Sequence, residues 1–376
     1  MAENEIRSRK ALRELIALLE EVDERWLSPE WNLASADDIA QGTRALLHML
    51  QGGLDSYFEC EPSHPEFRRI VATNKKFTGD NADAIYYDAP VNPAFAYRVT
   101  GRIDGAAYTS FTVECGAADG SMGDRLGGVL NDSDMDVDED GAYEIFLGGE
   151  QRERNWLPLP EGASRITTRH YFEEVEPAAA DVRRHFALDI AALEEGPAPA
   201  TPSDASVAAG IERVIAFIRS RTLDQPPMAD ADTPAFVSKV PNVFPQPVTP
   251  GDHALAAADA AYSMAPFFLA PEQALVMTMR WPECRTGNVM LWNRHMQTFD
   301  FANRSVSLNR KQTQLEEDGS VRIVIAHENP GVPNWLDTEG RPFGLVFWRF
   351  MLPEGEIDTP HAEVVDVAQL RGNRDL

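Results

Sequence analysis

The sequence is poor in cysteine and in positive charge, and it contains no long apolar run. Three cysteines in 376 residues, Cys60, Cys115 and Cys284, are odd in number and far apart. That excludes a disulfide framework and a paired Cys-x-x-Cys metal site, and it fits a reducing compartment. Nowhere do eighteen apolar residues follow one another, so no transmembrane helix is expected. The N-terminus leads from Met1 into a charged amphipathic stretch rather than a basic segment with an apolar run, so no secretory leader is expected. Thirty-four basic side chains stand against sixty acidic ones. The resulting net charge of -26 repels phosphate backbones and anionic lipid head groups. Neither nucleic acid nor a membrane is expected as a partner, and the expected location is cytoplasmic.

Several chemical motifs are missing as well. No Gly-x-Gly-x-x-Gly follows a strand and no Walker-type Gly-Lys-Ser/Thr occurs, which removes the usual nucleotide sites. Gly120-Ser121-Met122-Gly123 is misspaced for a nucleophile elbow. The eight histidines form no His-x-His or His-x-x-x-His pair. The one Glu-x-x-His, Glu61 to His64, holds Pro62 and is followed by Pro65, so it is a loop. The acidic run Asp132 to Gly141 starts like a calcium loop from Asp136, but its twelfth position is Leu147 instead of a bidentate Glu. No metal and no cofactor are predicted.

What is present reads as a mainly β protein with helical additions: two duplicated β-sandwich-like units, N-terminal helices and inter-domain helices. Apolar residues recur at helical spacing from Glu5 to about Trp26. A second helix is expected from Ser35, which can cap Ala36-Asp37-Asp38-Ile39, to about Met49, with Gly52-Gly53 as its stop. Strands are expected at Ala84–Tyr87, Ala96–Val99 and Tyr108–Val113, with Asp104-Gly105 as a hairpin turn between two of them. A helix from about Ala205 to Arg221 should pack on a sheet, and a short helix is placed from about His253 to Met264. These features divide the chain into an N-terminal helical region (1–66), a first β unit (67–176), a Pro/Ala-rich helical connector (177–270) and a second β unit (271–376).

The duplication is visible directly. Asp140-Gly141 and Asp318-Gly319 each open a strand, Leu130-Asn131 and Leu308-Asn309 precede them at equal spacing, and Asn155-Trp156-Leu157 and Asn334-Trp335-Leu336 follow. A repeated Asn-Trp-Leu is most simply a structural lock: the indole fills a strand corner with its N–H bonded, and the Asn satisfies local backbone groups.

Residues His327 to Thr338, with Trp292-Asn293-Arg294 and Ser307-Leu308-Asn309-Arg310 before them, resemble the C-terminal signature of the domain-of-unknown-function 1214 family. Gly79-Asp80-Asn81-Ala82-Asp83-Ala84-Ile85-Tyr86-Tyr87 is similar to the opening of its longer members. The resemblance covers roughly Asn74 to Phe172 and Ala274 to Leu352. It implies a double β-sandwich-like bacterial protein. The family carries no established reaction, so the resemblance assigns no catalytic residue.

Function is sought where the copies differ. His327 has no counterpart near Gly148-Gly149-Glu150, which makes it a candidate acid or base, with Glu328 and Asp337 as candidate catalytic carboxylates. Trp292, Arg294, His295, Arg310 and Trp335 would bind substrate, arginine fixing the polar end of a hydrophobic or aromatic small molecule. The competing reading makes the tryptophans core, the arginines surface and His327 a hydrogen-bonded loop residue. The expected function is an enzyme without an evident cofactor, a lyase, isomerase or hydrolase with its pocket in the second β unit. The alternatives are a non-catalytic small-molecule or carbohydrate-binding protein, and a scaffold whose β units drive homo-oligomerisation.

Overall fold

The computed structural model of the protein describes residues 6–33, 35–116, 118–194, 196, 198–227, 231–251, 256–257 and 259–372. Its helical layer is α1 (Arg7–Arg25), α2 (Ala36–Gly53) and α3 (Asp204–Arg221), with α4 (Val367–Gly372) at the other end of the chain. Leu15, Leu18 and Val22 of α1 pack with Ala45 and Met49 of α2 and Val214 and Ile218 of α3. Helix α3 therefore packs chiefly on the other helices and not, as expected, on a sheet. Ser35 caps α2 by accepting from the Asp38 amide at 3.1 Å. Gly52 and Gly53 do not stop that helix, which continues into a π turn at Leu54–Phe58. A Cβ on Gly53 would lie 3.0 Å from Phe217, so glycine here lets α3 approach closely.

After a two-residue strand β1 (Arg68–Arg69) come β2 (Ala84–Pro90), β3 (Tyr97–Arg102), β4 (Tyr108–Gly116), β5 (Gly123–Asn131), β6 (Ala142–Leu147), β7 (Trp156–Leu157), β8 (Ala163–Tyr171) and β9 (Leu188–Ala192). The second unit repeats the set as β10 (Ala260–Phe268), β11 (Gln273–Met279), β12 (Thr286–Trp292), β13 (Ser307–Asn309), β14 (Val321–Ala326), β15 (Trp335–Asp337), β16 (Phe343–Met351) and β17 (His361–Asp366). Each unit is a sandwich of two sheets. The strand orders are β2-β8-β4-β5, edged by β1, with β7-β6-β3-β9 in the first, and β10-β16-β12-β13 with β15-β14-β11-β17 in the second. Even the parallel pairs correspond, β6 with β7 and β14 with β15.

Strand alternation builds the cores: Phe111, Val113, Val99, Ile145 and Ile166 meet inside the first sandwich, and Leu275, Val289, Ile323, Val346 and Trp348 inside the second. The segment 177–270 differs from the expected connector, because it supplies β9 to the first unit and β10 to the second. The helix placed at His253 to Met264 is strand from Ala260 on, while 252–255 and 258 lie outside the described residues. Strand β10 is buried on both faces but for its last residue, so its apolar run carries no period to separate strand from helix. Asp104 and Gly105 have the positive φ values expected of a tight turn, 47° and 80°. That turn carries the chain from one sheet to the other instead of closing a hairpin.

The Asn-Trp-Leu segments are equivalent atom for atom. Asn155 and Asn334 both hold the left-handed region, at φ 49° and 53°. The Asn334 amide donates to the Gln314 and Arg322 carbonyls at 2.7 and 3.0 Å and its oxygen accepts from the Gln314 amide at 2.8 Å. Asn155 does the same with Asp136 and Glu144. Each indole donates to the carbonyl beside it, Trp156 to Gly148 at 2.9 Å and Trp335 to Ala326 at 3.1 Å. Asn334→Ala should cost about 2–3 kcal/mol, from three lost bonds and a strained backbone. Asn334→Gly, which keeps the backbone free, should cost visibly less in a denaturant titration; equal losses would show that the left-handed backbone adds nothing to the cost.

The two sandwiches pack through the outer faces of equivalent sheets, with Tyr86, Tyr108 and Tyr171 on one side and Tyr262, Met290 and Phe347 on the other. They also clasp each other reciprocally. Asp83, just before β2, accepts from Asn288 at 2.7 Å and from Asn309 at 3.2 Å. Asp259, just before β10, accepts from Asn131 at 3.0 Å and from the Tyr108 hydroxyl. Asn131 ends β5 and Asn309 ends β13, so the aspartate opening each unit is held by the asparagine of the other.

Candidate functional site

The sequence-predicted site residues do not converge. His327 bonds Thr338 through Nδ1 at 2.6 Å, and Glu328 is exposed beside Arg371 at 3.7 Å. Asp337 accepts from Arg304 at 2.7 Å and from the Glu339 amide at 2.7 Å, and Trp335 belongs to the corner described above. These four lie near the β14–β15 edge. Trp292 is buried elsewhere, donating to the Asp80 carbonyl at 3.0 Å and stacking on Phe347 at 4.2 Å. Arg294 lies 4.0 Å over Phe343 and 3.5 Å from Asp38. His295 sits 4.5 Å from Trp26, where burial holds its pKa down at about 4. Arg310 grips Glu173 with two bonds of 2.6 and 2.9 Å. The pocket expected in the second unit is therefore corrected: its eight residues are spread over three places and are engaged in packing, caps and ion pairs. Among the described residues no group of three or more His, Cys, Asp or Glu is placed to hold a metal.

The comparison of copies is more informative when made in strand register. On the outer face of the first unit, Tyr86 lies opposite Arg169, and in the second unit Tyr262 lies opposite Arg349. Those positions match. One step further along, Asp88 and Thr167 correspond to Met264 and Phe347, and Arg165 and Glu114 correspond to Leu345 and Trp292. Thr112 corresponds to Met290. The same face is thus charged in one copy and apolar in the other. The apolar version is packed, but the charged version is buried too, which is costly unless every group is paired or serves a ligand.

The charged face is built as a row. Arg165 pairs with Asp88, donates to the Ser56 carbonyl at 3.2 Å and lies 4.3 Å over the Tyr57 ring. Thr167 donates to Glu114 at 2.7 Å, and Arg169 donates to Thr112 at 2.6 Å. Next comes Arg349 from the second unit, 7% exposed. It donates to the Tyr171 and Tyr86 hydroxyls at 2.8 and 3.1 Å and to the Gly79 carbonyl at 3.4 Å. Phe347, Tyr262 and Tyr171 flank it at 5.0, 5.5 and 5.6 Å. Burial lifts the Tyr86 phenol well above its ordinary range and Tyr262 to about 12, so both are neutral near pH 7. They cannot balance the guanidinium charge. Asp80 lies within electrostatic reach, but Thr298 engages both of its oxygens. Among the described residues the Nε atoms of Arg165 and Arg349 have no hydrogen-bond partner.

None of this row was singled out from the sequence. A signal was there: Arg165-x-Thr167-x-Arg169-x-Tyr171 against Leu345-x-Phe347-x-Arg349-x-Met351. Reading it required knowing that these alternate residues face a second sheet and not solvent.

Two sandwiches of identical strand order, joined face to face beneath a helical layer, define a duplicated double β-sandwich protein. The protein-family profile described as "Protein of unknown function (DUF1214)" matches residues 88–174 and 287–355, which span most of both units and include Arg165, Arg169 and Arg349. The chain is similar to this family over these two regions, one in each unit. Among solved structures it is similar to an uncharacterised protein from Burkholderia cenocepacia, at 24% identity and a TM-score of 0.83, over 97% of this chain and 99% of that one. A protein from Vibrio parahaemolyticus matches at 13% identity and a TM-score of 0.48, over 86% of this chain and 99% of that one. No curated protein matches.

Proposed function

We propose that the protein binds a small organic acid with an apolar or aromatic body, at the junction of its two β units. The observation that supports this best is Arg349: a buried guanidinium that donates to two tyrosine hydroxyls and a carbonyl, with its Nε unpartnered among the described residues. A carboxylate supplies the missing charge and accepts from a planar fork of donors. Phe347 and Tyr262 beside Arg349 suit an apolar body. The reading keeps the ligand class expected from the sequence and moves the seat from the second unit to the junction.

The test is calorimetric titration with aromatic monocarboxylates, benzoate and phenylacetate, on the wild type, Arg349→Gln and Arg349→Lys. Binding should weaken at least tenfold in Arg349→Gln and recover in part in Arg349→Lys, both variants melting cooperatively. Unchanged affinity in a folded Arg349→Gln would overturn the proposal. A second reading, catalysis, is favoured by Glu114, a buried carboxylate that accepts from Thr167 within a row of arginines and is suited to act as a base. Loss of turnover with retained binding in Glu114→Gln would support that reading against simple binding.

A further inference from the structure

We infer that two copies of this chain associate through α1, the two helices lying antiparallel about a twofold axis near Ile16. Helix α1 carries two seams with the three-then-four spacing of a coiled coil. The first, Ala11, Leu15, Leu18 and Val22, is buried in the helical layer. The second, Arg9, Leu12, Ile16, Leu19 and Asp23, is open: Leu12 and Ile16 are each 50% exposed, Arg9 and Asp23 are exposed, and Leu19 is half-buried. A single exposed leucine is ordinary on a protein surface. A second complete seam, on a helix already packed along the first, is what a further helix would fill.

The order of charges points to a second copy as the occupant. Helices α2 and α3 follow the helix dipole: Asp37 and Asp38 open α2, Asp204 opens α3, and Arg219 and Arg221 close it. Helix α1 runs the other way. Arg7, Arg9 and Lys10 stand in its first half, with no acid in the first turn, and Glu20, Glu21, Asp23 and Glu24 stand in its second half. Its first amides are capped from outside, those of Arg7 and Ser8 each donating to Asp204 at 2.9 Å. Some of the charges are settled within the chain, Lys10 with Glu14, and Glu21 with Arg25 and Arg219. Arg9, Glu20 and Asp23, on or beside the open seam, form no ion pair among the described residues. An antiparallel second α1 meets both needs. Ile16 lies against Ile16 on the axis, Leu12 of each copy against Leu19 of the other, and Arg9 opposite Asp23 at both ends, with Glu20 beside them. The basic half of each helix then runs along the acidic half of the other. A parallel pair would instead set Arg9 on Arg9 and Asp23 on Asp23. Two chains of net charge -26 repel each other over most of their surface, whereas this face attracts its own copy.

A helix of 19 residues is about 28 Å long, so the seam covers less area than a standard stable interface and the dimer is a reversible one of micromolar strength. Sedimentation velocity of the full chain across the micromolar range should show the mass rising from one chain towards two. Arg9→Glu and Asp23→Arg should each raise the dissociation constant about tenfold, because both ends of the pair turn from attraction to repulsion. Each substitution also gives α1 a charge that its dipole favours, so neither variant should melt below the wild type when monomeric. Mixing the two variants should restore the dimer, since in an antiparallel pair of one with the other the charges are again opposite at both ends. A monomer at every concentration would overturn the second copy as occupant and leave the seam to a different partner. A dimer indifferent to both substitutions, or a mixture no tighter than either variant alone, would overturn the antiparallel α1 contact.

Discussion

Asp83→Ala is expected to destabilise the protein by about 3 kcal/mol or more, among the largest losses that any single polar side chain in this fold should produce. The carboxylate is 2% exposed and accepts from the amides of Asn288 and Asn309, while its own backbone N–H donates to Asn81 at 2.8 Å. Truncation leaves two buried amide donors facing a small cavity, each at a cost of about 1–3 kcal/mol. It also unfastens one half of the clasp, since both asparagines belong to the other unit. Asp259→Ala should cost less than Asp83→Ala, because Asp259 is only half-buried and water can take over its donors. Chemical denaturation followed by tryptophan fluorescence would read both midpoints. A loss under about 1 kcal/mol for Asp83→Ala, or the reverse order, would show that the clasp is incidental to stability.

His170→Phe should remove a large part of the sensitivity to acid. His170 is fully buried, its Nε2 3.0 Å from the Thr168 hydroxyl and its ring 4.8 Å from Phe186, and burial pushes its pKa down to about 3. The unfolded chain has an ordinary histidine near 6.5. Below that value the unfolded state takes up a proton that the folded state refuses, so stability is intact above pH 6.5 and falls until the folded group titrates near 3. The full difference is about 5 kcal/mol. Burial also depresses His48 and His295, each to about 4, and they add to the same trend. Asp83 opposes it: its folded pKa is raised to about 6, so the folded state gains a proton first and stability rises as pH falls from there to about 3.8. The substitution is one the molecule already contains, for the strand position of His170 in β8 is held by Phe350 in β16. At pH 4.5 the variant should be more stable than the wild type relative to their difference at pH 7.5. An unchanged pH dependence would show that His170 is not a source of the acid limb.

Much of the architecture was legible because it is local. The period of α1, the Ser35 cap and the repeated Asp-Gly and Asn-Trp-Leu corners are decided within a few residues, and the duplication could be read from them. Three features depend on distant partners and differ from what the local sequence suggests. Asp104-Gly105 looks like a hairpin whichever sheet its strands join. Gly52-Gly53 looks like a stop unless Phe217 is known to press on it. Strand β10 is apolar on both faces and so carries no period. The site was hidden for a further reason. The copies do differ where the charged row lies, but differences in loops, such as His327, are easier to see in a sequence than differences on a strand face. Arg165 opposite Glu114 looks like a solvated ion pair until a second sheet and a helical layer are known to cover it.

The reciprocal clasp has one more consequence, for how such a molecule can change over time. Two separate identical subunits meeting across a dyad must present the same surface, so any residue gained on one side is gained on the other. Joining them in one chain lifts that constraint while Asp83, Asp259 and their asparagines keep the halves in register. One half has then been able to keep an oily face, Leu345, Phe347 and Trp292, while the other carries Arg165, Thr167 and Glu114 at the same places. Symmetry survives in the frame and is broken on the two faces that meet.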